Sequence, residues 1–74
     1  MSLTSSMEDY LKAILVLHQR HGNARCVDVA DYLGVSKPSV SRAVKELSKS
    51  GHIIKKDGTL YLTQQGRQYA EQIC

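Results

Sequence analysis

The sequence lacks the two largest apolar aromatic residues, because its 74 residues include neither tryptophan nor phenylalanine. Leucine, isoleucine, valine and the four tyrosines must therefore build the core, which in so short a chain is limited to one small domain. No apolar run approaches the length of about 20 residues that a membrane-spanning helix needs, and no signal-peptide pattern opens the chain. These absences argue against a membrane protein.

Cysteine is scarce, and Cys26 and Cys74 do not have the CxxC spacing of a metal or redox motif. No disulfide framework is indicated, so we expect a reducing, cytoplasmic location. The sequence also contains no catalytic constellation and no Gly-rich phosphate loop, so we expect no enzyme. His18 and His21 with Cys26 could hold zinc, but ordinary histidines at a helix end are the better interpretation.

Positive charge is concentrated in one quarter of the chain. Residues 37–56 contain six lysine or arginine residues and one acid, Glu46, whereas the remaining residues contain four such cations and six acids. This asymmetry suggests a surface that faces a polyanion. Charge alone would fit a solvated helix face equally well. The order of the secondary-structure elements must therefore distinguish between these two interpretations.

Helical spacing of apolar residues predicts four helices. Ser5-x-x-Glu8 is a capping-box pattern at the first of them, and Gly34 ends the second in a left-handed conformation. Ser36 caps the third helix, which carries Pro38 in its first turn. The predicted bounds are about 5–21, about 27–33, 37–50 and 64–73.

A β-hairpin wing is predicted over residues 52–62. Asp57-Gly58 between two β-prone runs is a strong two-residue turn signal. That turn pairs Lys56 with Thr59, Ile54 with Tyr61 and Ile53 with Leu62. Leu60 shares a face with Ile53 and Leu62, and this face should meet the helices.

The order of helix, helix, tight glycine turn, helix, hairpin and helix predicts a winged helix-turn-helix. The fold class is mainly α (α+β): three helices, a two-stranded β-hairpin wing and a C-terminal helix. We expect a single domain over residues 1–74.

The third helix carries the candidate DNA-binding residues. Its apolar stripe is Val40, Ala43, Val44 and Leu47, and Pro38, Arg42, Lys45 and Lys49 fall opposite. We expect this outer face to enter the major groove, with Arg42 reading guanine and Pro38 pressing on a thymine methyl. The expected donors to phosphates or bases are Ser36, Ser39 and Ser41, and the expected phosphate neutralisers are Lys37, Lys45 and Lys49, with Lys55 and Lys56 on the wing.

Several short motifs also resemble one family of regulators. They are Met7-Glu8-Asp9-Tyr10, Ala24-Arg25 with Asp28-Val29-Ala30, Val35-Ser36-x-Pro38-Ser39-Val40-Ser41, and Leu62-Thr63-x-x-Gly66. Together they resemble the N-terminal winged-helix domain of the diphtheria-toxin-repressor/manganese-regulator (iron-dependent repressor) family. The resemblance implies metal-loaded dimers that bind operator DNA and repress metal uptake. It matches Ser36, Pro38, Ser39 and Arg42 to operator-reading positions, and Asp9 to a metal-ligand position.

The metal-ligand pattern of the family matches this sequence less well than its DNA-binding pattern does. The family would imply divalent manganese or iron, and the manganese-type pattern has a second carboxylate three residues after Asp9. Lys12 stands there instead, and it would repel a cation. The resemblance places the next ligands beyond residue 74. No cofactor is therefore evident in this chain alone, since a transition metal needs several convergent ligands.

Two functions follow as hypotheses. The first is a sequence-specific regulator, a repressor by resemblance, that binds double-stranded operator DNA as a homodimer, with the first and last helices supplying the dimer contact. The alternative is a winged-helix protein-interaction module without DNA readout. Its interface would use the outer wing pair Ile54 and Tyr61 together with the apolar faces of the same two helices.

Overall fold

The computed structural model describes residues 5–72, with four helices and one hairpin. The helices are α1 (Ser5–His21), α2 (Cys26–Leu33), α3 (Lys37–Lys49) and α4 (Gln64–Gln72), and the strands are β1 (Ile53–Lys56) and β2 (Thr59–Leu62). This is the predicted winged helix-turn-helix order. The Ser5 side chain and Ile73, to which the sequence assigned the first cap and the end of the last helix, lie outside the part that the structure describes.

Two helix bounds differ from the prediction by one residue. Helix α2 begins at Cys26 because the Asp28 carboxylate accepts a hydrogen bond from the Arg25 backbone N–H at 3.2 Å, which makes Arg25 the cap. Helix α3 ends at Lys49, and Ser50 is its C-cap. Between α2 and α3, Gly34 adopts φ 70° and ψ 36°, the left-handed conformation that the sequence predicted for the tight turn.

The hairpin has the predicted register. Its pairs are Ile53–Leu62, Ile54–Tyr61, Lys55–Leu60 and Lys56–Thr59. Asp57 and Gly58 both have positive φ, at 53° and 78°, so the turn twists with the strands. Ile53 and Leu60 are buried on the inner face, whereas Ile54 and Tyr61 are exposed on the outer face.

The core draws residues from every element, with α1 in contact with the other three helices and with β2. Its fully buried larger side chains are Leu11, Ile14, Val29, Val40, Leu47 and Leu60. The apolar residues of α1 are therefore used inside the molecule, and among the described residues neither α1 nor α4 exposes a large apolar side chain. Where the dimer contact lies therefore stays a prediction. No helix within residues 5–72 has both the length and the apolar character to cross a membrane.

Candidate nucleic-acid interface

Helix α3 separates a buried stripe from an exposed cationic face. Val40, Ala43, Val44 and Leu47 are at most 7% exposed, so the predicted stripe is confirmed. The side chains at four positions on the opposite face are all exposed: Pro38, Arg42, Lys45 and Lys49. Their spacing of four, three and four residues keeps them on one line along the helix. Lys37 and Ser41 are exposed beside this line.

Among the described residues, the cations of this face have no carboxylate partner. Within residues 5–72 the one ion pair is Arg67–Glu71 on α4, with 3.2 Å between Nε and Oε2. Glu46 is the only acid in α3, and it lies one turn after Arg42 without pairing to it. The positive charge of α3 is therefore available to an external anion.

Two serines share the N-terminus of α3. The Ser36 Oγ accepts a hydrogen bond from the Ser39 backbone N–H at 3.4 Å, and the two hydroxyl oxygens are 2.9 Å apart. One hydroxyl donates to the other, which leaves one O–H proton of the pair for an outside acceptor. Ser36 and Ser39 are thus a single capping unit that can make one further donation, rather than two independent donors.

The two wing lysines lie on different faces of the hairpin. Lys55 pairs with Leu60 and shares the face that meets the helices, whereas Lys56 pairs with Thr59 and shares the face of Ile54 and Tyr61. Both side chains are exposed near the turn. The structure therefore brings the α3 residues together on one surface but divides the wing pair.

Arg25 pairs with the wing strand β2, a contact that was not predicted from the sequence. It forms an isolated antiparallel bridge with Thr59, and the Ala24 carbonyl accepts a hydrogen bond from the Leu60 N–H at 2.7 Å. Residues directly opposite in antiparallel pairs point to the same face, so Arg25, Thr59 and Lys56 form one row across the wing. No periodicity marks a single bridged residue, and only the short Ala24-Arg25 match in the resemblance pointed to this position.

Asp9, the predicted metal ligand, is exposed on α1. It lines a cavity of about 150 Å³ with Ser6, Tyr10, Leu33 and Val35, none of which is a strong metal ligand. Lys12, one turn further along α1, is half-buried. Within residues 5–72 no group of three His, Cys, Asp or Glu side chains could hold a metal ion. The described donors do not form a metal site, and the role of Asp9 stays a prediction.

His18, which the sequence offered as a possible zinc ligand, instead contacts β2. Its Nε2–H donates to the Leu60 carbonyl, and its ring stacks on Tyr61 with 5.6 Å between the ring centroids. This histidine ties the end of α1 to β2, which agrees with the structural interpretation of the helix-end histidines.

A sequence model of the iron-dependent repressor N-terminal DNA-binding domain matches residues 2–58 of this chain. The chain belongs to the iron-dependent repressor family. The predicted resemblance is therefore confirmed, and the exposed face of α3 belongs to a domain that the family description names as DNA-binding. That description also names iron dependence, although the residues described here do not form a metal site.

Two relatives give the scale of the similarity. The HTH-type transcriptional regulator MntR of Geobacillus kaustophilus is 37% identical over 71 residues, which cover 95% of this chain and 50% of that protein. The structure of IdeR from T. acidophilum superposes with a TM-score of 0.84 at 32% identity, over 97% of this chain and 33% of that one. The chain thus spans about half the length of the curated relatives that it matches.

The fold is shared more widely than the sequence. The reduced form of MarR from E. coli superposes with a TM-score of 0.85 at 19% identity, covering 97% of this chain and 52% of that chain. At this identity the likeness concerns the winged-helix fold alone.

Proposed function

We propose that this chain is the DNA-reading domain of a transcriptional repressor that binds operator DNA. The observation that carries the proposal is the exposed face of α3, on which Pro38, Arg42, Lys45 and Lys49 lie in line and unpaired. The major groove of DNA admits one α-helix, and the opposite face of α3 is already committed to the core.

The exposed residues of α3 and the wing have two kinds of role, contact with bases and contact with phosphates. Arg42 reads guanine through its two-pronged guanidinium, and Pro38 contacts a thymine methyl group. Lys37, Lys45 and Lys49 neutralise phosphates, and the Ser36–Ser39 unit and Ser41 donate to the backbone or to base edges. Lys56 and Arg25 extend the phosphate contact along the wing, with Lys55 on its other face.

The repressor acts as a homodimer in the cytoplasm and needs no catalytic group. Two copies would place their α3 helices about one turn of DNA, roughly 34 Å, apart, so that the operator has two half-sites. Sedimentation of the protein with and without a two-half-site duplex measures this stoichiometry. A single copy per duplex would contradict the dimer.

Salt dependence of DNA binding tests the proposal directly. A fluorescent mixed-sequence duplex is titrated with the chain at several salt concentrations, and the logarithm of affinity is plotted against that of salt. Neutralising several phosphates predicts a steep negative slope of about 0.9 per phosphate contacted. Selection from a random duplex library then shows whether one sequence is preferred. Failure to bind any duplex at low salt would refute the proposal.

A protein-interaction module is the second candidate function. The observation in its favour is the outer wing face, where Ile54 is 54% exposed and Tyr61 is 44% exposed. Substituting both by threonine would leave salt-dependent DNA binding intact if that face serves only a protein partner. A loss of DNA affinity equal to that of an Arg42 substitution would argue against a separate protein interface.

A further inference from the structure

The C-terminal end of α3 is held by a set of hydrogen bonds at Leu47. Its carbonyl accepts from the His52 N–H and from the Ser50 hydroxyl, each at 3.0 Å. The Ser50 Oγ is also 2.6 Å from His52 Nδ1. Because the only hydroxyl proton of Ser50 goes to Leu47, His52 Nδ1 carries a proton and donates it to Ser50. The buried ring of His52 is thereby joined to the cap of α3.

The start of α4 is hydrogen-bonded to the two residues that follow the C-cap of α3, Gly51 and His52. The Thr63 hydroxyl donates to the Gly51 carbonyl at 2.6 Å, and the Thr63 N–H donates to the His52 carbonyl at 3.0 Å. The Gly66 N–H in turn donates to the Thr63 Oγ1 at 3.0 Å. The first turn of α4 therefore cannot move without moving residues 51 and 52.

Tyr69 extends this junction to α1. The rings of His52 and Tyr69 pack edge to face, with 5.7 Å between their centroids and 85° between their planes. The Tyr69 hydroxyl donates to the Glu8 Oε2 at 2.9 Å, across 61 positions of sequence. A continuous path of contacts thus runs from Glu8 on α1 through Tyr69 and His52 to the cap of α3.

We propose that Tyr69 is a positioning residue for α3, and that its bond to Glu8 sets the angle at which α3 meets DNA. The inference rests on the proposed function. The buried stripe holds α3 against the core along its length, whereas Ser50 and His52 hold its far end. Base readout tolerates displacements of only about 0.5 Å, so a small movement of that end matters more for specificity than for stability.

Tyr69→Phe tests the proposal, because it removes the hydroxyl and keeps the ring against His52. The wild-type chain first selects a preferred duplex from a random library, and affinities are then measured for that duplex and for a scrambled one. We expect Tyr69→Phe to reduce the ratio of the two affinities by about threefold or more. Non-specific binding to the scrambled duplex should not change, because it depends on charge.

A mutant cycle isolates the hydrogen bond. Glu8→Ala should reproduce part of the loss, and the double substitution with Tyr69→Phe should lose less than the sum of the two single substitutions. Glu8→Gln keeps an acceptor oxygen, so it should retain a higher ratio of affinities for the selected and scrambled duplexes than Glu8→Ala. Tyr32→Phe is the matched control, since it deletes a hydroxyl from a tyrosine that is 48% exposed on α2.

The free protein supplies a second measurement. Amide chemical shifts of residues 40–50 should change in Tyr69→Phe and not in Tyr32→Phe, although the substituted residue is on α4. Two results would overturn the positioning role. One is that the chemical shifts of α3 in Tyr69→Phe equal those of the wild-type chain. The other is that the wild-type chain selects a sequence and Tyr69→Phe has the same affinity ratio. If the wild-type chain selects no sequence, the proposed function fails, and the α3 shifts still decide the inference.

Discussion

Gly66 lies against the carbonyl oxygen of His52 so closely that a Cβ at position 66 would be 1.8 Å from that oxygen. The obstacle is backbone, so no side-chain rotation relieves it. This contact lets the first turn of α4 pack directly on the residues that follow the C-cap of α3, and it explains why the Leu62-Thr63-x-x-Gly66 motif ends in glycine.

Gly66→Ala should therefore destabilise the protein. In an exposed helix position alanine is favoured over glycine by about 1 kcal/mol, but here the overlap with His52 dominates. We expect a loss of about 3 kcal/mol in the free energy of unfolding, measured in urea. Gln68→Ala, at an exposed position of the same helix, should be neutral or slightly stabilising. Equal stability of the two variants would show that α4 does not pack as described.

Arg42 and Lys45 are adjacent on the exposed face of α3 but should act differently. Arg42→Ala should lose about 1–3 kcal/mol of discrimination at one base position, because guanine loses its paired donor. Lys45→Ala should weaken binding to all sequences alike and lower the salt slope by about 1. Affinities for a selected duplex and its single-base variants make the comparison. An equal loss on every duplex for both variants would contradict the role of Arg42.

The row of Arg25, Thr59 and Lys56 predicts two phosphate contacts from one face of the wing. Arg25→Ala and Lys56→Ala should each reduce DNA affinity at low salt and lower the salt slope by about 1. Arg67→Ala is the control, because that charge is already paired with Glu71 on α4. If Arg25→Ala bound like the control while Lys56→Ala did not, the bridge to Thr59 would have no part in DNA binding.

The turn of the wing depends on Asp57, which is the one described non-glycine residue with positive φ. Asp57→Val should destabilise the protein by about 1–2 kcal/mol, because a β-branched side chain strains this conformation. Asp57→Asn should have little effect on stability, since asparagine tolerates the same region. Thermal unfolding of the two variants measures the difference. A valine variant as stable as the asparagine variant would mean that the turn adopts another conformation.

Much of the fold could be predicted because its signals are local. The hairpin register followed from Asp57-Gly58, and the tight turn before α3 followed from Gly34. The buried stripe of α3 followed from a spacing that spans only eight residues. In each case a turn conformation or a helical period constrains neighbours in the chain, so a short window is sufficient.

The candidate site was predictable in part. The line of Pro38, Arg42, Lys45 and Lys49 is a property of one helix and needs no tertiary information. The capping pair of Ser36 and Ser39 is also local, but its shared hydroxyl bond limits what each serine can donate. The dimer surface expected on α1 could not be judged from its sequence, because the number of apolar residues does not say how many of them the core uses.

The elements, their order and the division of α3 into an apolar and a cationic face could be predicted from the residues alone, since they depend on local backbone preference and on periodicity. No such local signal indicates that Arg25 lies beside Thr59, that Gly66 touches His52 or that Tyr69 reaches Glu8. These pairs are separated by 14 to 61 positions in the chain. Their contact depends on how whole helices pack around α1, which is a collective result of burying the core.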